Sequence, residues 1–337
     1  MFHDLTGLVF PAIAILPSNL NSIGALPARF RRQRVLIVGC GDVGLRVASA
    51  LPPGVKLMAL TSSAERVPGL RRQHITPLRG DLDQPASLRR LAGLATRIIH
   101  LAPPPAVNAN WRSDPRTLAL LRALRLRSQP RSFVYGSTSG VYGDCGGEKV
   151  DETRRLNPHT PRSQRRVHAE GHVRLFGRAT GTPVHILRIP GIYAPDREGG
   201  TPRGRLLKGT PVLRPEDDVY TSHIHSDDLA RACLAALWRG KPQRITHACD
   251  DTRLLMGDYF DLAADLYQLP RPPRVARDTA TEQLPLMLLS FMSESRRLDN
   301  RRMKKELKLV LRYPTVADGL RLPARLPRPV LHGSTLE

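Results

Sequence analysis

Cysteine is scarce: Cys40, Cys145, Cys233 and Cys249 in 337 residues form no C-x-x-C pair and no dense cystine framework. That excludes a small disulfide-stapled fold and fits a reducing cytoplasm. Aromatics make up only 5% of the chain, so little is on hand to stack against nucleic-acid bases. Long apolar runs are missing as well. The stretch 8–16 is too short to cross a bilayer and is broken by Pro11, and Asp4 precedes it where a secretory signal would carry positive charge. Lysine is nearly absent: seven residues, leaving 45 of the 52 basic side chains as arginine. The net charge of +22 would attract polyanions, but the arginines are spread over the whole sequence. Their two clusters, 29–34 and 296–308, hold one aromatic between them, Phe30. Neither a nucleic-acid partner nor a membrane span is expected.

What is present is arranged around Arg34 to Gly44, RVLIVGCGDVG. A short β-branched run stops at Gly39, Gly41 and Gly44, spaced G-x-G-x-x-G, and a helical period resumes after it. In a strand, turn and helix of this kind the first glycine turns sharply, the second lets backbone approach a pyrophosphate and the third lets helix pack on strand. The helix N-terminus then offers free N–H groups to phosphate. An ordinary glycine turn is the competing reading.

Further along, strands are expected at 55–60, 74–78, 97–102, 132–137, 184–189 and 244–248, with helices at 85–95, 114–127, 160–178, 229–239, 254–268 and 299–309. Strict alternation with right-handed crossovers makes this an α/β chain with a parallel, doubly wound sheet. Ser226 or Asp227 is expected to cap the helix that follows them. The second strand ends in Thr61, Ser62 and Ser63, with no acidic residue to hydrogen-bond a ribose; Arg66 follows and suits a phosphate. This favours NADP over NAD, although the hydroxyls read equally well as a helix cap. His168 and His172 stand four apart on one helix face with no third ligand nearby, so no metal site is expected.

The segments RVLIVGCGDVG, RGDLDQ, IIHLAPPP, FVYGSTSGVYG, LRIPGIYAP, HIHSDDLARA and LDNRRMKKELKLVLRYPTVADGL, in that order, resemble the extended short-chain dehydrogenase/reductases, the NAD-dependent epimerase/dehydratase family. The resemblance covers Arg34 to Leu320. It implies a Rossmann-type sheet over 34–190, completed by 223–248, that binds NAD(P), and a smaller C-terminal substrate-binding region formed by 191–222 and 249–325. Residues 1–33 are then an extension and 326–337 a tail.

Carried across residue by residue, Gly39, Gly41 and Gly44, with Asp42 and Val43, would hold the diphosphate. Ser62 and Arg66 would meet the adenosine ribose, Asp81 and Leu82 would edge the adenine, and Leu101, Ala102, Pro103 and Pro190 would line the rest of the cofactor site. Thr138, four residues before Tyr142, resembles the hydroxyl that hydrogen-bonds the substrate oxygen; a turn cap is its structural alternative. The family's Y-x-x-x-K falls on Arg162 and Arg166. Arg166 can still serve ribose, but Arg162 cannot exchange a proton, because a guanidinium stays charged. Tyr142, Tyr193 and His168 are the candidates to replace the missing acid. In lacking the tyrosine, and in its shorter glycine motif, the chain resembles atypical members of the family. The implied function is an NAD(P)-dependent oxidoreductase or epimerase acting on a small carbonyl, polyol or nucleotide sugar; the alternative is a non-catalytic NADP(H)-binding sensor or scaffold. The resemblance also implies a homodimer that pairs through helices including 160–178.

Overall fold

A computed structural model of the chain describes residues 33–106 and 111–321. The expected extension, Gln33 aside, and the tail lie outside the described residues. The centre is a seven-stranded, wholly parallel sheet of β1 (Arg34–Val38), β2 (Lys56–Thr61), β3 (Thr76–Arg79), β4 (Arg97–His100), β5 (Ser132–Thr138), β6 (Val184–Ile189) and β7 (Arg244–His247). The spatial order is β7-β6-β5-β4-β1-β2-β3. Strand order therefore reverses between β1 and β4, and in such sheets a ligand crevice opens there, beyond the carboxyl ends.

Alternation along β1 divides the core between two faces. Val35 and Ile37 join Val43, Val47, Leu229, Cys233 and Leu237 on one side, under α1 (Asp42–Ser49) and α5 (Ser226–Arg239). Leu36 and Val38 join Leu120, Leu124, Val173 and Phe176 on the other, under α3 (Pro115–Leu124) and α4 (Pro161–Thr180). A third cluster, including Tyr193, Leu213, Tyr259 and Phe260, forms away from the sheet around α6 (Met256–Tyr267).

Three local expectations change. Residues 66–72 form a helix, α2, that sequence periodicity missed, and its N-cap Glu65 makes no side-chain cap bond, nor do the neighbouring hydroxyls supply one. Residues 85–91 wind as a 3₁₀ helix instead of an α-helix ending at 95. The cap of α5 is His225, whose Nδ1 accepts the Asp227 N–H at 3.2 Å, in place of Ser226 or Asp227. Asp228 is wholly buried and its carboxylate accepts backbone N–H groups from Arg312 and Tyr313, which fastens the late chain to α5.

Beneath the carboxyl ends of β5 and β6 lies a buried ion pair. The Glu170 carboxylate takes Arg188 Nη2 at 2.7 Å and the Ser137 hydroxyl at 2.6 Å, while Arg188 Nη1 donates to Tyr142. Removing one charge from such a pair strands the other in a low dielectric. Glu170→Gln, which retains the shape, is expected to cost about 3 kcal/mol of stability in denaturant unfolding. An unchanged midpoint would show that water reaches Arg188.

Candidate active site

The three glycines do three different things. Gly39 has φ +89, and a Cβ there would lie 2.3 Å from the Ala102 backbone nitrogen, so only glycine lets β1 turn against the end of β4. A Cβ on Gly44 would lie 3.1 Å from the Gly39 carbonyl oxygen and 3.3 Å from Ile37 Cγ2, which makes it the helix-on-strand contact. A Cβ on Gly41 would meet nothing within 4 Å. Gly41, at the N-cap of α1, thus leaves open space beside a helix N-terminus, the setting in which backbone N–H groups can receive an anion.

Around this cradle the expected residues converge unequally. Leu101 and Ala102 both donate their N–H to the Val38 carbonyl, at 2.7 and 3.1 Å, so the floor of the crevice is fixed to β1. Arg66 donates to the Cys40 carbonyl within the glycine loop. Burial pushes the Cys40 thiol up to about 11, against the pull of the Arg66 charge. Ser62, Arg79, Gly80, Asp81, Gln84 and Ser87 line an open cleft of about 280 Å³ at the carboxyl ends of β2 and β3, where the adenosine end of a dinucleotide is expected. Leu82 packs on the core beneath that cleft. Pro103 lends its carbonyl to Arg116, which also grips Asp83, and Pro190 follows β6 half-buried.

Two cofactor-loop side chains are committed elsewhere. Val43 is core. The Asp42 carboxylate is taken by Arg46 at 3.1 Å and Arg197 at 2.9 Å, so only backbone at 42 and 43 can face phosphate. Arg46 itself, which sequence reasoning did not single out, is buried among Asp42, Asp196 and Asp227 and ties the glycine-loop helix to the segment after β6. Its i, i+4 spacing from Asp42 was the available signal.

At the other end of the crevice, Thr138 closes β5 half-buried, and its Oγ1 accepts the Gly140 N–H at 3.2 Å. The capping role expected as the alternative is thus present, and the hydroxyl proton is left free to donate. Arg166 is buried and reaches the same edge: Nη1 donates to the Gly136 carbonyl at 2.8 Å and the Tyr135 hydroxyl at 3.0 Å, and its Nε has no partner. An unpaired buried donor in this position suits a ligand oxygen. Arg162 lies one turn earlier on α4, exposed, its pKa lowered first by partial burial and then by the Arg166 charge.

The candidates for the missing acid are placed differently from the expectation. Tyr142 is 1% exposed, its hydroxyl shared between His247 and Arg188, and burial pushes its pKa up to about 12. It belongs to the packing beneath the site. Tyr193 is buried in the third core cluster and donates to the Thr315 carbonyl at 3.2 Å. His168 accepts the Asp114 N–H through Nδ1 and meets His172 at 3.2 Å through Nε2.

A family model described as the NAD dependent epimerase/dehydratase family matches residues 35–248. An uncharacterized UDP-glucose epimerase of Bacillus subtilis, YtcB, is 32% identical over 162 residues, which are 44% of this chain and 50% of that protein. The matched stretch therefore spans half the length of that relative. A functionally unknown conserved protein from Silicibacter pomeroyi has a solved structure similar at TM-score 0.71 and 31% identity, covering 86% of this chain and 96% of that one. The UDP-glucose 4-epimerase of Thermotoga maritima, solved with UDP-glucose, is similar in fold at TM-score 0.70 and 18% identity, over 86% and 96% of the two chains.

Proposed function

Since the chain belongs to the NAD-dependent epimerase/dehydratase family, we propose that it is an NAD(P)-dependent oxidoreductase or epimerase acting on a nucleotide sugar or a related small carbonyl or polyol. The observation that carries this reading is the glycine loop: Gly41 open beside a helix N-terminus, and Gly39 pressed against the end of β4 at the switch point. The nicotinamide, when bound, supplies the hydride chemistry. The protein's part is to hold and polarise. Main-chain amides from Gly41 to Gly44 receive the diphosphate, Arg166 meets the ribose, and Thr138 donates its proton to the substrate oxygen. The substrate is assigned to the space shaped by 191–222 and 249–325.

We assign NADP as the preferred cofactor, because Ser62 is exposed at the end of β2 and Arg66 stands against the glycine loop, with Glu65 turned to the Ser63 hydroxyl. Four unpaired, buried cysteines agree with a reducing cytoplasm. Among the described residues no helix is long and apolar enough to cross a membrane. A paired subunit is assigned to the α3–α4 side, where Leu126 and Leu175 are exposed.

The test is titration calorimetry with both reduced cofactors, followed by assay with keto-sugar nucleotides. NADPH should bind more tightly than NADH, and Arg66→Ala should remove about tenfold of that preference, the loss of one charge-assisted contact to phosphate. Equal affinity for the two cofactors overturns the NADP assignment, and binding of neither overturns the whole reading. Arg162 in place of a proton-exchanging tyrosine favours the second reading, a cofactor-binding sensor; tight NADPH binding without consumption across the panel would establish it.

A further inference from the structure

Arginines that lie scattered along the sequence are gathered by the fold. In a parallel sheet each crossover returns from a helix end to a strand start, so these returns all meet at the amino end of the sheet, opposite the switch-point crevice. Here they are 49–57, 71–76, 92–97, 124–132, 178–184 and 239–244; none holds an Asp or Glu, and each holds an Arg or Lys. The other end differs: Asp42, Glu65, Asp81, Asp83 and Asp114 stand at or just before helix starts. Cations in the last turn of a helix answer its dipole. The strand starts add a row that no dipole explains. Lys56, Arg34, Arg97 and Arg131 stand at or just before the starts of β2, β1, β4 and β5, four neighbours in the sheet. Backbone bonds hold those starts level: the Lys56 N–H donates to the Gln33 carbonyl at 2.8 Å, Thr96 to Arg34 at 2.9 Å and Arg131 to Thr96 at 2.7 Å. At the ordinary strand spacing the row is about 14 Å long.

Among the described residues, none of the four has a carboxylate within ion-pair distance. Arg97 gives its donors to the Leu237 carbonyl and the Gln33 side chain, Arg34 keeps a buried Nε without a partner, and Lys56 and Arg131 are exposed. Glu306, which reaches this end from the late chain, is taken by Arg244 and Lys241. A row of uncompensated charge attracts an extended anion better than a single small ion. Two apolar side chains flank it. Trp238, at the end of α5, is 37% exposed with the Arg97 guanidinium 5.4 Å from its ring centre, and Leu126, just beyond α3, is 59% exposed between Arg125 and Arg127. Helices α5 and α3 cover opposite faces of the sheet, so each side of the row has one of them. Arginine mixed with exposed tryptophan and leucine suits a lipid headgroup layer, where the charge stays wet and the apolar body sinks. Bases are less well served, because Trp238 is already stacked on Arg97.

We propose that the amino end of the sheet is a peripheral docking surface for an anionic phospholipid bilayer, held by the row Lys56, Arg34, Arg97 and Arg131 and by Trp238 and Leu126 beside it. The crevice lies at the opposite end of the strands and stays open to solvent while the protein is held. This surface is independent of which cofactor or substrate the crevice takes.

The test is sedimentation of the full chain with vesicles of phosphatidylcholine alone and of phosphatidylcholine with about one-third phosphatidylglycerol, in about 0.1 M salt. The anionic vesicles should bind at least about tenfold more tightly than the neutral ones. Lys56→Glu combined with Arg131→Glu should weaken that binding at least about tenfold, the loss of two basic side chains at a charged surface. Arg154→Glu combined with Arg155→Glu makes the same change in net charge on exposed residues of the loop between β5 and α4, at the other end of the sheet, and should weaken it less than about threefold. If the first pair lowers the melting temperature, Lys56→Gln with Arg131→Gln, which adds no negative charge, should still show a loss larger than that of the control pair. Equal binding to both kinds of vesicle, equal losses in the two pairs, or duplex DNA bound more tightly than the anionic vesicles overturns the proposal.

Discussion

Taking the protein from pH 7 to pH 5 is expected to remove about 5 kcal/mol of folding stability, an amount comparable to the whole stability of many domains. The cause is a set of histidines enclosed as neutral groups. Burial holds His100, His185 and His223 down at about 4 and His247 at about 3. Their surroundings fit the neutral ring: His100 meets the Thr117 hydroxyl at 3.0 Å, His185 meets Thr246 at 2.9 Å, and His247 lies between Tyr142 and the Asp299 carbonyl. In the unfolded chain each titrates near about 6.5. Between that value and about 4 the unfolded state binds more protons than the folded one, so stability falls as pH falls, by about 2 kcal/mol per histidine at pH 5.

Asp250 works in the opposite sense. Burial raises its carboxyl to about 8, so it is already protonated in the fold and gains stability on acidification, about 3 kcal/mol over the same interval. The net loss is what urea unfolding at the two pH values would read. His185→Gln should flatten the dependence by about 2 kcal/mol. A midpoint that does not move between pH 7 and 5 would mean that these rings are protonated in the native state.

These histidines also show where sequence reading stops. The apolar runs within β1, β4, β5 and β6 declare themselves because strands buried on both faces are mostly apolar, with His100, His185 and Arg188 as buried exceptions. The glycine spacing declares the turn after β1 because the positive φ at Gly39, with the Ala102 backbone against it, calls for glycine. Helix α2 was missed because RVPGLRR carries both a proline and a glycine, and its helicity comes from packing Leu70 into the core. Burial of His100 within IIHLA, or of Tyr142 within STSGVYG, depends on which face of the sheet a residue meets and on partners 17 and 105 positions away. The Asp42 carboxylate looked available for the cofactor loop, and Arg46 and Arg197, the latter 155 residues distant, occupy it. Local pattern therefore located the glycine turn and the strands around it, while long-range pairing decided which side chains are committed to protein partners.

The sharpest test of that crevice is a pair of substitutions two residues apart. Gly39→Ala is expected to cost about 5 kcal/mol and to abolish cofactor binding with the fold, since it combines a left-handed φ with backbone overlap at Ala102 that no side-chain movement can relieve. Gly41→Ala should leave the melting temperature almost unchanged. Its φ of −83 is ordinary for an L-residue, and the added methyl meets no protein atom within 4 Å. Yet that methyl enters the volume through which a diphosphate must reach the amides of α1. Losing one such charged hydrogen bond costs about 2 kcal/mol, or some thirtyfold in NADPH affinity. Stability and binding are thus separated within one turn of backbone. A Gly41→Ala protein that folds and binds NADPH as tightly as the parent would place the nucleotide elsewhere, and with it Thr138 and Arg166 would lose their assigned partners.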